Sequence, residues 1–191
     1  MAVVGCDLTR GRGLGGCLTT IGGVKNVYFS DFANAITADT NSLMTQFDGV
    51  ASVYKYAMRR GAGTFTETIN ASADNGTVFY TPSTTLKLSK LTVKDQNELK
   101  LIAQNTLIVF VELNEINDAG KNVIMAIGTD TGSNLNGGTN TAGAAMGDFN
   151  GYEWTFDSNQ SYPCWIVDDY TLTPLDNAGF NGGAGVTVVA V

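Results

Sequence analysis

TFTETINASADNGTVFYTPSTTLKLSK, residues 64–90, decides the fold. Threonine recurs through both halves, with Phe65, Ile69, Val78, Phe79 and Leu86 set among the hydroxyls. β-Branched and aromatic residues at this density fit a pleated surface and resist a helix. ADNG (73–76) supplies the turn residues between the halves, so residues 64–71 and 77–90 are predicted to form a hairpin. Pro82 lacks an N–H donor and is expected to mark a bulge or an edge.

The same signals continue outward. NVYFSDF (26–32), SVYKYAMR (52–59), YPCWIV (162–167) and VTVVAV (186–191) read as strands, and residues 33–50 give no clear period. TLIVFVELNEI (106–116) and NVIMAIGTD (122–130) flank NDAGK as a second hairpin. YEWTFD (152–157) alternates, with Tyr152, Trp154 and Phe156 on one face and Glu153, Thr155 and Asp157 on the other. One helix interrupts the strands, LTVKDQNELKLIAQN (91–105), with Thr92 as N-cap and Asp95 three residues on. Leu99, Ile102 and Ala103 share its apolar stripe. The expected fold is therefore all-β: a single domain over 1–191, a sandwich or barrel with one packed helix at about 92–105. Two glycine-rich stretches complete it, an extended N-terminal arm (1–25) and a long Gly/Thr loop (131–151).

Charge and cysteine content limit the chemistry. The 191 residues carry 11 Lys and Arg, 18 Asp and Glu and no histidine, for a net charge of −7. The last base is Lys121, so Asp130, Asp148, Glu153, Asp157, Asp168, Asp169 and Asp176 follow without a countercharge. Such a balance repels nucleic acid. Without histidine, Ser-His and Cys-His nucleophiles and imidazole metal ligands do not arise. Cys6, Cys17 and Cys164 do not make a zinc ligand set and read as packing residues of a reducing compartment. The N-terminus lacks a signal peptide's apolar core, and no stretch has a membrane span's length and apolarity. The N-x-S/T triplets at Asn70 and Asn75 are then accidental.

GRGLGG (11–16) matches the G-x-G-x-x-G spacing of a dinucleotide loop, and Arg10 and Arg12 flank it with positive charge. The pyrophosphate in such loops rests on a helix N-terminus. Here CLTTIGGVKNVYF follows, with β-branched residues and Gly22-Gly23, so no helix is expected to open. The stretch reads as part of an arm, and no cofactor or metal is expected. Glu153 and Asp157 are also the acids that a glycosidase reading would use, and Trp154 and Trp165 the platforms of a carbohydrate-binding reading. Neither sits in a recognisable motif, and the apolar neighbours of Trp154 favour the core.

The order of segments resembles the tail tube (major tail) proteins of long-tailed bacteriophages. CDLTRGRGLGGC (6–17) leads into IGGVKNVYFSDF (21–32), and ADNGTVFY (73–80) precedes a Thr-rich strand ending LSKL (88–91). NELKLIAQN (97–105) gives way to a hydrophobic strand and NDAGKN (117–122), and TAGAAMGDFNGYEWTF (141–156) joins a loop to a strand. The resemblance covers about residues 5–165; SNQSYPCWIV (158–167) departs from it. It implies a structural virion protein, not an enzyme, made in the host cytoplasm. Its hexameric rings would stack into a hollow tube through which DNA is ejected without specific binding. Each copy would give strands to an inner barrel, with its helix outside. Its partners would be further copies of itself and other tail proteins (tape measure, terminator, baseplate or sheath), with no membrane. Glu153 and Asp157 are then candidates for the lumen wall or for a solvated outer face. Arg10, Gly11, Arg12 and Gly13 are candidates for an arm that ties copies together. The competing reading is another head–tail part, such as a terminator, head-completion or decoration protein.

Overall fold

The computed structural model describes residues 11–12, 20–32, 35–38, 43–48, 52–117, 120–167, 174–175 and 187–190. Its elements run β1 (Val24–Asp31), β2 (Ala35–Ala38), β3 (Leu43–Asp48), β4 (Ser52–Ala57), β5 (Gly63–Ser72), β6 (Thr77–Ser89), α1 (Val93–Gln104), β7 (Leu107–Ile116), β8 (Asn122–Ile127), β9 (Asn134–Thr141), β10 (Gly151–Asp157), β11 (Trp165–Val167) and β12 (Thr187–Ala190). An eight-stranded sheet has the order β12-β4-β1-β7-β8-β11-β3-β2, and a four-stranded sheet the order β5-β6-β10-β9. The fold is a sandwich of mostly β structure with one helix among the described residues, as the sequence implies.

Two cores explain the sequence pattern. Between the sheets, Val27 and Phe29 of β1 and Val109 and Val111 of β7 meet Leu86, Tyr152, Trp154 and Phe156 of the smaller sheet. Phe29 lies 4.9 Å from Phe156, and Tyr152 lies 5.4 Å from Trp154, between ring centroids. On the far face of the larger sheet, Tyr28, Met44, Val53, Ile108, Phe110, Ile124, Ala126, Val167 and Leu175 form a second core. β7 is thus buried on both faces, which is why it reads as a continuous apolar run without alternation.

One acid stands in that run. Glu112 is 3% exposed. Its carboxylate accepts from Asn26 Nδ2 at 2.6 Å and Tyr28 Oη at 2.8 Å, and pairs with Lys25 Nζ at 2.8 Å. Burial pushes its pKa up, but hydrogen bonds from Asn26, Lys25 and Tyr28 and the lysine charge outweigh burial and hold it below the ordinary value.

The helix begins as its cap predicts. Thr92 Oγ1 accepts from Asp95 N at 3.1 Å and donates to Asp95 Oδ2 at 2.7 Å. The Thr92 N–H is met by Tyr152 Oη at 3.2 Å, and that phenol donates to Thr92 O at 3.1 Å. A strand of the small sheet therefore fixes the helix entry. Ile102 is buried and Leu99 packs on the inter-sheet core, but Ala103 is exposed, so the buried stripe is narrower than predicted. Tyr152→Phe keeps the ring and removes only these two bonds; it is expected to cost about 1 kcal/mol, similar to Thr92→Ala at about 1 kcal/mol. Urea unfolding of both variants checks this.

Several expectations change. Residues 131–151 are not one loop, because Asn134–Thr141 forms β9 and pairs with β10 from Thr141 opposite Gly151 to Asn134 opposite Asp157. Its main chain earns the ladder, and Gly138 permits the approach: a Cβ there would lie 3.0 Å from Glu153 O and 3.1 Å from Trp154 Cδ1. What remains, 142–150, is built around Asp148, whose carboxylate accepts from the N–H groups of Ala144 and Ala145 at 2.8 Å each. Pro82 is neither at a bulge nor on an edge strand. Its pairing with Glu67 leaves the β5–β6 register unbroken, and its absent N–H faces the side where β10 has ended and Ser158 N donates to Pro82 O. YPCWIV shortens to Trp165–Val167, since Cys164 N donates to the Glu67 carboxylate at 2.7 Å instead of to a strand. The strand after the arm starts at Val24, two residues early.

Candidate functional site

The face of the small sheet turned away from the core is the candidate site. β10 sets it up: Tyr152, Trp154 and Phe156 are fully buried, so Glu153, Thr155 and Asp157 point to the other side. Register adds the neighbours. Glu153 stands between Lys87 of β6 and Thr139 of β9, and Thr155 between Thr85 and Gly137. Asp157 stands between Ser83 and Asn134, and β5 extends these rows with Thr64 opposite Thr85 and Thr66 opposite Ser83.

Hydroxyls dominate, and they bond to each other and to asparagine amides. Thr85 and Thr155 are 3.1 Å apart, Asn70 donates to Thr81 at 2.9 Å, and Thr81 donates to Asn159 at 3.1 Å. Lys87 Nζ pairs with Glu153 at 3.2 Å, both half-exposed. Asp157 takes a hydrogen bond from Asn136 Nδ2 and has no basic partner among the described residues, so it is the surplus charge of the three. The structure thus brings both predicted acids onto one polar face, and adds Lys87, which sequence reading did not connect with them.

Four residues of strand separate Glu153 from Asp157 by about 13 Å, beyond the roughly 5–9.5 Å of a glycosidase pair. Trp154 is buried, and Trp165 stacks on Tyr162 at 4.9 Å and 8°, so neither is an open platform. Cys164 is a buried thiol of the inter-sheet core, with its pKa pushed up by burial and then by Glu67, which fits a packing role. Gly11 and Arg12 are exposed; Arg10, Gly13, Cys6 and Cys17 lie outside the described residues. Downstream of the glycine stretch the first described element is a strand, β1, not a phosphate-binding helix. Among the described residues no helix is long and apolar enough to cross a membrane.

The signal that could have found Lys87 is the alternation of LKLSK against YEWTF: once Trp154 is placed inward opposite Leu86, Lys87 must face Glu153. Compared with protein-family models, curated proteins and solved structures, the chain matches none.

Proposed function

We propose that this chain is the subunit of a phage tail tube, a structural virion protein that needs no cofactor. Its copies close into hexameric rings, and the rings stack into a hollow tube for DNA ejection. The observation that carries this reading is the small sheet: a hydroxyl-rich face bounded by β5 and β9, whose outer edges no further strand pairs among the described residues. Such edges invite another chain, and β9 has no charged residue to discourage it. β5 and β9 run in opposite senses, because each neighbour in β5-β6-β10-β9 is antiparallel. Joining β9 of one copy to β5 of the next therefore continues an antiparallel sheet and closes it into a barrel around a ring. The polar face then lines the lumen, with Tyr152, Trp154 and Phe156 behind it. The arm containing Arg10, Gly11, Arg12 and Gly13 ties neighbouring copies.

This wall suits a passing polyanion. Its base, Lys87, is occupied by Glu153, and Asp157 repels phosphate, so DNA finds hydroxyls but no grip. Purified protein imaged by negative stain is expected to show sixfold rings and long tubes. Single rings that never stack would move the reading to a terminator, and a monomer at every concentration would overturn it.

Glu153→Lys with Asp157→Lys is expected to leave assembly intact and to make tubes retain duplex DNA in co-sedimentation at physiological salt. The retention should disappear at about 1 M salt, where the Debye length falls to about 3 Å. Variant tubes that retain no more DNA than the parent would show that this face does not meet DNA.

A further inference from the structure

The strands of both sheets run between the same two ends of the molecule, its poles, which are unlike. β1, β5 and β8 start at one pole, where β4, β6 and β7 finish; a Cβ on Gly63 would lie 2.8 Å from Val24 Cβ, so the two sheets share that pole. The turn from β4 to β5 carries Arg59 and Arg60 there, both exposed and without an ion pair among the described residues. Lys90 follows β6, Lys94 opens α1 and Lys121 precedes β8 at the same pole, and with Arg59 and Arg60 they outnumber Asp95, Glu98, Glu115 and Asp148 by one; Lys25 and Lys87 are already paired with Glu112 and Glu153. At the opposite pole stand Asp74 in the β5–β6 turn, Asp130 between β8 and β9, and Asp157 at the end of β10. No Lys or Arg stands in the described turns of that pole.

Apolar shape follows the same division. Beyond Tyr80, which pairs with Gln160, the β5–β6 hairpin runs on as a two-stranded ribbon with no further strand beside it among the described residues, extending roughly 15 Å. Ile69, Val78 and Phe79 are exposed on it, around the acidic turn. At the other end of β5 lies a groove of about 320 Å³ lined by Ile21, Val24, Phe65 and Leu113, with Thr64 and Glu115 also in its wall. The exposed apolar groups of the ribbon and the groove thus lie at opposite ends of the same strand, related by translation along its axis.

We infer that copies of this chain join pole to pole. The ribbon tip of one copy enters the groove of the next, with Asp74 and Asp130 set against Arg59 and Arg60. The contact uses different surfaces on each side, so it never closes by itself and propagates as a stack. It rests on the reading of the chain as a self-assembling subunit and names the surfaces that join one ring to the next, as distinct from the β5 and β9 edges within a ring.

The test is a charge exchange in the full chain, with circular dichroism confirming the fold of each variant. Arg59→Glu with Arg60→Glu makes both poles acidic, and Asp74→Lys with Asp130→Lys makes both basic. Like charges set together oppose association, so each variant alone is expected to stop at rings, with the protein concentration needed for tubes raised about tenfold or more. Mixed in equal amounts, the two should form tubes, because unlike poles now alternate. Val78→Ser with Phe79→Ser, which leaves every charge in place, should raise the threshold as well. Parent tubes with both variants polymerising alone at the parent's threshold would overturn the pole contact and leave the tube reading standing. Variants that stop at rings but fail to form tubes when mixed would also overturn it. A parent that never associates would overturn both readings.

Discussion

Trp154→Ala is expected to cost about 4 kcal/mol of folding stability, within the usual range for truncating a large buried aromatic side chain. At the usual 2–4 °C per kcal/mol for a chain of this size, that lowers the melting temperature by about 12 °C. Trp154 is fully buried and reaches across the sandwich to Tyr56 of the larger sheet, 6.3 Å between centroids. On its other side lies Gly138, which has no side chain to move into a vacated space. The cavity would therefore persist, and persistent cavities are the costly ones. Its indole N–H has no hydrogen-bond partner among the described residues, so truncation breaks no such bond there. Trp154→Phe should accordingly be much milder, about 1–2 kcal/mol. Calorimetry of both variants separates the two terms. An alanine variant within 1 kcal/mol of the parent would show that the sheets are held elsewhere.

Glu112→Ala is expected to cost about 3 kcal/mol at neutral pH, the lower end for breaking a buried ion pair, because Lys25 is half-exposed and can turn to water. Asn26 and Tyr28, both buried, would lose their acceptor. The pH dependence gives a second readout. The carboxyl's pKa is lowered from about 4.5 in the folded protein, so its contribution is fully present above that value. It is lost as pH falls through the lower folded value. The stability gap between parent and variant should therefore be constant near neutrality and shrink in acid. A gap that widened on acidification would mean that the pair does not stabilise the fold through its charge.

These two sites also mark how far the sequence could be read. The place of Trp154 was legible from strict alternation in YEWTFD, since a sheet with one wet face imposes that period on its strands. The hairpin over 64–90 and the cap at Thr92 were legible for similar local reasons. β9 was not: NLNGGTNT owes its strand to main-chain bonds with β10, and side-chain patterning carries no record of such bonds. Ala103 fitted the helical stripe, but of that stripe only Ile102 and Leu99 reach the core. Glu112 left a trace as the one acid in LIVFVEL, yet its partners Asn26 and Tyr28 come from a strand that only the fold brings alongside. The polar face was half legible, with Glu153 and Asp157 on it and Lys87 and the hydroxyl rows supplied by register. The sorting of charge between two poles follows from strand direction and topology, which composition cannot express.

The larger sheet has a history as well as a shape. Its β12 lies parallel to β4, Thr187 opposite Ser52, and β11 parallel to β3, Ile166 opposite Leu43. Neither pairing is a hairpin, so each must wait for remote chain to arrive, and closing such long loops is slow compared with forming helices. The hairpins β5–β6 and β7–β8 should form early, while the outer side of β4 stays open until β12 reaches it. During synthesis of many copies at once, that open side is a point at which two unfinished chains can join wrongly. The rate at which β12 docks therefore sets how long a newly made subunit is vulnerable, and the yield of native protein should fall with synthesis rate before it falls with temperature.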